Sequence, residues 1–446
     1  MTTAGQRFGA FQWPAYRLFW IGQVATNAGS WLQIVASGWL VLELTDSPAA
    51  LGLNAAFQAV PILALSLVGG VIADRVDRYR LMVWAQVGQL VPDVVLAVLV
   101  GSGHIRVEVI YAYSLITATI NGLSTPARQA FVPRLVPAEA LVSAVALNSI
   151  VWQGAAVVGP AVAGVVLGTW GIAGNFYVNA GSDLVSLLTL VLIRLPQVWR
   201  EAPRRSAWAH LVEGTTYTWQ DGRVRFLLLV AAALSLLGRS YTQLMPVFAR
   251  DVFHVGPEGL GLLLTMPAIG TIGAGVALSV GSPRAPMRWL LISAAALGVS
   301  LALFALTTAF MLALAALTVV GGASSASATL ANTLIQQVVP DSVRGRVMSF
   351  FMAATWGSWR LGALPAGLVA QVWGAPVATA LSAALLLFVL VPVSRGRSFW
   401  KEPAHERAPT AAREAVDEQY REAVANAVVG QADTIHHGEA RHRPTL

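Results

Sequence analysis

Cysteine is absent from this chain of 446 residues, which excludes disulfides and thiolate metal sites. Charge is scarce as well. Only 11% of the residues are charged and 56% are hydrophobic, where a soluble domain carries roughly 25% charge. Such a chain cannot cover itself with a polar surface, so most of its solvent must be lipid. Met1 to Trp13 lacks the basic-then-apolar plan of a cleaved signal peptide, so insertion is expected to begin with the first span. There is no Walker motif, no His/Glu zinc spacing and no nucleophile–base grouping. Neither an enzyme nor a resident cofactor or metal is expected, and the four tail histidines His405, His436, His437 and His442 are scattered. The net charge of +7 sits in short loops, which argues against a nucleic-acid partner.

Long apolar runs fill the chain. They fall at about 18–44, 50–73, 79–101, 107–127, 140–168, 173–193, 226–249, 258–281, 287–306, 309–337, 347–371 and 375–393, each long enough to cross a bilayer as a helix. Their pattern predicts an all-α integral membrane protein with twelve transmembrane helices. The intervening turns alternate in charge. Alternate turns carry Arg75, Arg78 and Arg80, then Arg128 and Arg134, then the group from Arg194 to Arg225, then Arg284 and Arg288, then Arg344 and Arg346. The opposite turns hold only Arg106 and Arg250. By the positive-inside rule both termini lie in the cytoplasm. Residues 1–194 and 224–393 form two six-helix units joined by a linker, 195–223, in which Trp208, Leu211, Val212, Thr215 and Trp219 share one helical face. Residues 394–446 read as a largely disordered cytoplasmic tail, with a short helix possible at 410–429.

The two units resemble each other. Aligning Pro137 with Pro340 sets an offset of 203 residues, and the same offset carries Gly159 to Gly362 and Gly164 to Gly367. Parallel repeats of this kind are the plan of transporters with a site near the midplane. The Arg284–Arg288 loop is only a faint copy of its first-half counterpart, so the cytoplasmic gate is expected to be asymmetric.

That counterpart reads Gly69-Gly70-Val-Ile-Ala-Asp74-Arg75-Val-Asp77-Arg78-Tyr79-Arg80. It resembles the signature loop of the major facilitator superfamily, departing from it at Asp77 and Tyr79. Further segments are similar to one branch, the enterobactin-exporter-like transmembrane secretion effectors. They are Trp39–Pro48, Pro126–Gln129, Ala146–Ser149, Gly159-Pro160 with Gly164, and Pro340–Ser349. The similarity covers residues 8–394. It implies a proton-motive-force-driven exporter of a drug, siderophore or metabolite working by alternating access, with import, lipid or metal-ion transport, or a non-transporting sensor as alternatives. It also implies that Gly70, Asp74, Arg75 and Arg78 dock near Arg344 and Arg346 to close the cytoplasmic side. Gly159, Pro160 and Gly164 resemble an antiport element, whose plain alternative is helix kinking and close packing. The protein is expected to act as a monomer.

Ionisable groups at membrane depth cost at least about 2.5–3.5 kcal/mol, so each invites a functional reading. Asp93, Asp183 and Arg360 are candidate coupling charges, although either carboxylate could simply be hydrogen-bonded between helices. Arg239 is the candidate for substrate contact, with Tyr241 and Gln243 beside it, and its guanidinium suits an anionic or catecholate-like ligand. By the resemblance, Asn27, Gln33 and Asn121 also line the cavity. Span 4, read as Tyr111–Pro126, carries no arginine within the membrane.

Overall fold

The computed structural model describes residues 9–75, 77–193, 221–281 and 285–395; within these, the side chains of 63, 66–75, 78, 341, 342, 356 and 392–395 are not described. Helices follow one another with short turns: α1 (Pro14–Thr45), α2 (Pro48–Arg75), α3 (Arg78–Gly101) and α4 (Val107–Phe131). The run Ala138–Leu192 is two helices, α5 (138–170) and α6 (172–192), because Gly171 adopts φ 71°, ψ −174° between them. Then come α7 (Gly222–Gly238), which continues through tighter and wider turns to Val252, α8 (Gly256–Val280), α9 (Pro286–Leu306) and α10 (Phe310–Val338). Two segments, Asp341–Met352 and Ser358–Trp373, are joined by a π turn over Ala353–Gly357 and together are α11; α12 is Ala375–Arg395. No strand occurs among the described residues. Among the described residues, six helical stretches are long and apolar enough to cross a membrane, the run Ala138–Leu192 taken as one. In lipid every backbone polar group must be satisfied within the segment, which is what a helix does.

The helix ends follow from local chemistry. Asp77, at the position where the signature loop ordinarily has Gly, caps α3: its carboxylate accepts from the Arg80 amide at 2.8 Å. Asp221 does the same for α7, accepting from Arg223 and Val224. Gly171 sits in a region of φ/ψ essentially closed to side-chain-bearing residues, so Gly171→Ala is expected to cost about 1–3 kcal/mol. Thermal unfolding in detergent should show a lowered midpoint for Gly171→Ala. Gly181→Ala, where a Cβ meets open space in α6, should not lower it.

The first-half helices pack among themselves, α1 on α5 and α6, α2 on α4, and α3 on α4 and α6. The second-half helices do likewise, α8 on α10, α9 on α10 and α12, and α11 on α12 and α7. The halves meet along two seams, α5·α8 and α2·α11. Both seams are built from glycines. A Cβ on Gly164 would lie 2.8 Å from the Pro257 carbonyl oxygen and 2.9 Å from Gly261 Cα. A Cβ on Gly367 would lie 2.7 Å from the Pro48 carbonyl oxygen and 3.1 Å from Gly52 Cα. The reverse contacts match too: Gly261 faces the Pro160 carbonyl and Gly52 the Ala363 carbonyl, each at 2.7 Å. Small residues let the backbones come this close. Positions 160, 164, 363 and 367 obey the 203-residue offset. Their partners show a second repeat, Pro-x-x-Leu-Gly-Leu at Pro48–Leu53 and again at Pro257–Leu262.

Candidate functional site

The end of the molecule that carries the α1–α2 turn, here the Asp46 face, is closed by polar contacts between the halves. Arg250 pairs with Asp46 and donates to the Leu42 carbonyl at 3.3 Å. Ser47 Oγ donates to Gln371 Oε1 at 2.6 Å, and the Ala49 amide reaches the same oxygen at 3.3 Å. Gly159 lies against Trp31 of α1, so it tightens packing within the first half, whereas Pro160 and Gly164 belong to the seam with α8. The opposite end, the Arg128 face, carries the α2–α3 turn. Asp74 and its neighbours Gly70, Arg75 and Arg78 lie outside the side chains described, so the expected docking on α11 has only its far partners here. Arg344 and Arg346 sit in the opening turns of α11, with Arg344 Nη2 donating to the Val339 carbonyl at 3.4 Å.

Midway along the 222–252 run α7 breaks. Gly238 ends the α-helix, Arg239 takes φ −124°, ψ −8°, and a 3-10 turn follows over Ser240–Leu244. The break leaves Arg239 exposed with its guanidinium 4.4 Å from the Trp359 ring centroid. Arg360, one residue on, lies 5.3 Å from the same ring. The Trp359 indole N–H donates to Thr242 Oγ1 at 3.0 Å, and Arg360 Nη1 donates to Gln58 Oε1 of α2 at 2.8 Å. Two cations thus share one indole, where cation–π attraction contributes about 0.5–2 kcal/mol each. Neither pairs with a carboxylate among the described residues. The π turn just before Trp359 belongs to a class of helix distortion found often at functional sites.

Tyr241, expected beside Arg239 as a cavity donor, instead turns into the core and packs on Phe304 at 6.1 Å. It is buried within the 3-10 turn while Arg239, just before the turn, stays exposed. Gln243 is half-buried. Asn27 bonds back to the Gln23 carbonyl of its own helix at 2.7 Å.

A second polar group lies within the first half, between α1, α3, α4 and α6. Asp93 and Asp183, separate candidates in the sequence, are neighbours here and both are buried. Tyr113 donates to Asp93 Oδ1. Gln86 Nε2 donates to Asp183 Oδ1 at 3.0 Å. Asp93 Oδ2 and Gln89 Oε1 have no hydrogen-bond partner among the described residues. A small polar pocket opens beside Asp183, lined by Gln33, Gln89, Asn121, Asn179 and Arg128. Arg128, assigned from the sequence to a loop, is in the last turn of α4 and points into this pocket. α4 runs on to Phe131, past Pro126, and that carries the guanidinium inward. The pocket shares Thr26, Gln86, Ser124 and Arg128 with a second one, which continues to Leu190 and Ile193 at the Arg128 face.

Multiple apolar helices, two repeated seams between the halves and a pair of arginines without a carboxylate partner among the described residues fit the class of membrane transporters. Residues 6–429 match the family model described as transmembrane secretion effector, and the chain belongs to that family, a branch of the major facilitator superfamily. It is 27% identical over 350 residues to the staphyloferrin A transporter of Staphylococcus aureus, covering 78% of this chain and 87% of the relative. It is 27% identical over 385 residues to the multidrug efflux pump Tap of Mycolicibacterium fortuitum (83% and 93% covered). It is 26% identical over 397 residues to the enterobactin exporter EntS of Shigella boydii (86% and 94% covered). The fold is shared with the nucleoside transporter NupG, TM-score 0.71 at 12% identity, over 85% of this chain and 99% of that one.

Proposed function

We propose that the chain exports an anionic small molecule by alternating access, driven by the proton gradient. The observation that carries this is the Arg239–Trp359–Arg360 group. Two guanidiniums near one ring, with no carboxylate to neutralise them among the described residues, favour a negatively charged, planar ligand. Gln58 lies ten residues, about 15 Å of helix, from Pro48, so the group is near mid-depth. There it can be reached from either side in turn. Twelve spans form two six-helix bundles, 1–194 and 224–393, with the 195–223 linker and the 394–446 tail in the cytoplasm. The arginine-rich turns support an orientation with the Arg128 face in the cytoplasm and the closed Asp46 face outside. The Asp74 loop with Arg344 and Arg346 closes the inner side when the outer seams open. Relatives named as an exporter and as an efflux pump support the outward direction. The unit is the monomer, each chain holding its own site.

The test compares the solutes in the medium of cells that make the protein with those of a deletion strain, with and without an uncoupler. An anionic solute should appear outside only when the protein is present, and the uncoupler should retain it in the cells. An anionic solute that the protein instead brings into cells would overturn export. Release insensitive to the uncoupler would overturn proton driving.

A further inference from the structure

We propose that Asp93 and Asp183 form a proton-binding site inside the first half, exchanging its proton with the Arg128 face through the polar pockets between α1, α3, α4 and α6. This deepens the proton-driven reading and rests on it for the role in transport, but not for the proton itself. Each carboxylate alone would be an isolated buried charge, and two adjacent ones cannot both be ionised without large cost. One proton held between them removes most of that cost, as in other paired acid sites. The hydrogen-bond pattern fits. Tyr113 donates to Asp93 and Gln86 to Asp183, so each carboxyl has one oxygen held by a neutral donor. Asp93 Oδ2 receives no donor among the described residues and remains for the shared proton.

The surroundings are asymmetric in charge. α4 presents Tyr113 and Arg128 to the region, and α3 presents the neutral Gln86 and Gln89. α1 contributes the neutral Thr26, Ser30 and Gln33, and α6 adds Asn179. α2 and α5 present no charged side chain to it among the described residues; Asn54 of α2 is held by Ser114, and Asn175 of α6 bonds the Ala163 carbonyl of α5. Arg128 is the one cation among these groups. When the proton passes to a water in the pocket, the second negative charge left behind is met by Arg128, Gln86 and Tyr113. Uptake is the reverse step. The pocket has room for a group of water size and none for a drug-sized ligand, which suits a proton path and not a substrate site.

The full-length protein in lipid vesicles, with no substrate added, can be titrated while its infrared spectrum is recorded. A buried protonated carboxyl should give a C=O stretching band that vanishes on deprotonation, with one proton released per molecule. Asp93→Asn and Asp183→Asn should each abolish that band. Tyr113→Phe, which keeps both carboxyls, should shift it. If an Asn variant does not fold, 13C-labelled aspartate in the unaltered chain must shift the band, and Tyr113→Phe must displace it again. No titrating band in the unaltered protein, or one indifferent to these changes, would overturn the site. Export insensitive to an uncoupler with the band intact would instead refute proton driving and leave the site standing.

Discussion

A chain carrying Gly164→Leu is expected to lose transport by about 5- to 150-fold while still reaching the membrane. The side chain meets backbone at 2.8 and 2.9 Å, with no flexible tip to move aside, so α5 and α8 must separate. Overpacking of this kind costs about 1–3 kcal/mol, all of it charged to the state in which the Asp46 face is closed. A shift of 1–3 kcal/mol between two states is a factor of about 5 to 150 in their ratio. Gly367→Leu should have the same effect at the matching seam. The absence of native cysteine provides a clean readout. Ser47→Cys with Gln371→Cys, joined by a short thiol cross-linker, should couple readily in the parent. Coupling should fall when Gly164→Leu is added. Undiminished coupling together with undiminished transport would refute the seam as a gate.

Arg239→Ala is expected to cut export of the anionic solute sharply at low solute concentration while the amount of protein in the membrane is unchanged. A charge-assisted hydrogen bond is worth about 1.5–3 kcal/mol, so the loss in apparent affinity should be roughly 10- to 100-fold. Arg360→Ala should cost affinity too, and it also removes the bond to Gln58 that crosses from α11 to α2. Arg239→Lys keeps the charge but neither the flat stacking on Trp359 nor a forked contact, so it should restore transport only in part. Vesicle uptake measured over a range of solute concentrations separates these outcomes. Wild-type transport in Arg239→Ala would remove the site.

The helices were legible because lipid imposes long apolar runs, and the observed ends differ from the sequence reading by a few residues, as at α4. That small difference mattered: four extra residues beyond 127 turned Arg128 from a loop charge into a pocket lining. The 203-residue offset found Gly164 and Gly367 but not their partners, since the Pro-x-x-Leu-Gly-Leu repeat follows a different spacing of 209 residues. Comparing the starts of α2 and α8 would have revealed it. Asp93 and Asp183 each stood out singly as buried acids. Their meeting depends on how α3 crosses α6, a matter of helix packing between segments 90 residues apart, which periodicity does not encode. The same holds for Arg239 and Arg360 near one indole. The side chain of Tyr241 went the other way because a 3-10 turn follows Arg239, and its sequence, Ser-Tyr-Thr-Gln-Leu, carries no breaker to announce it.

The two glycine seams also set how the molecule can move. Where side chains interlock, parting two helices means climbing out of one set of notches and into another, a stepwise and sticky motion. At Gly164 and Gly367 backbone instead faces backbone directly. Polar fastenings between the halves stand at the rim, where Arg250 holds Asp46 and Ser47 holds Gln371, and deeper, where Arg360 holds Gln58. Parting the halves must break these few polar fastenings, while the glycine contacts between them offer no interlocking side chain to hold at Gly164 and Gly367.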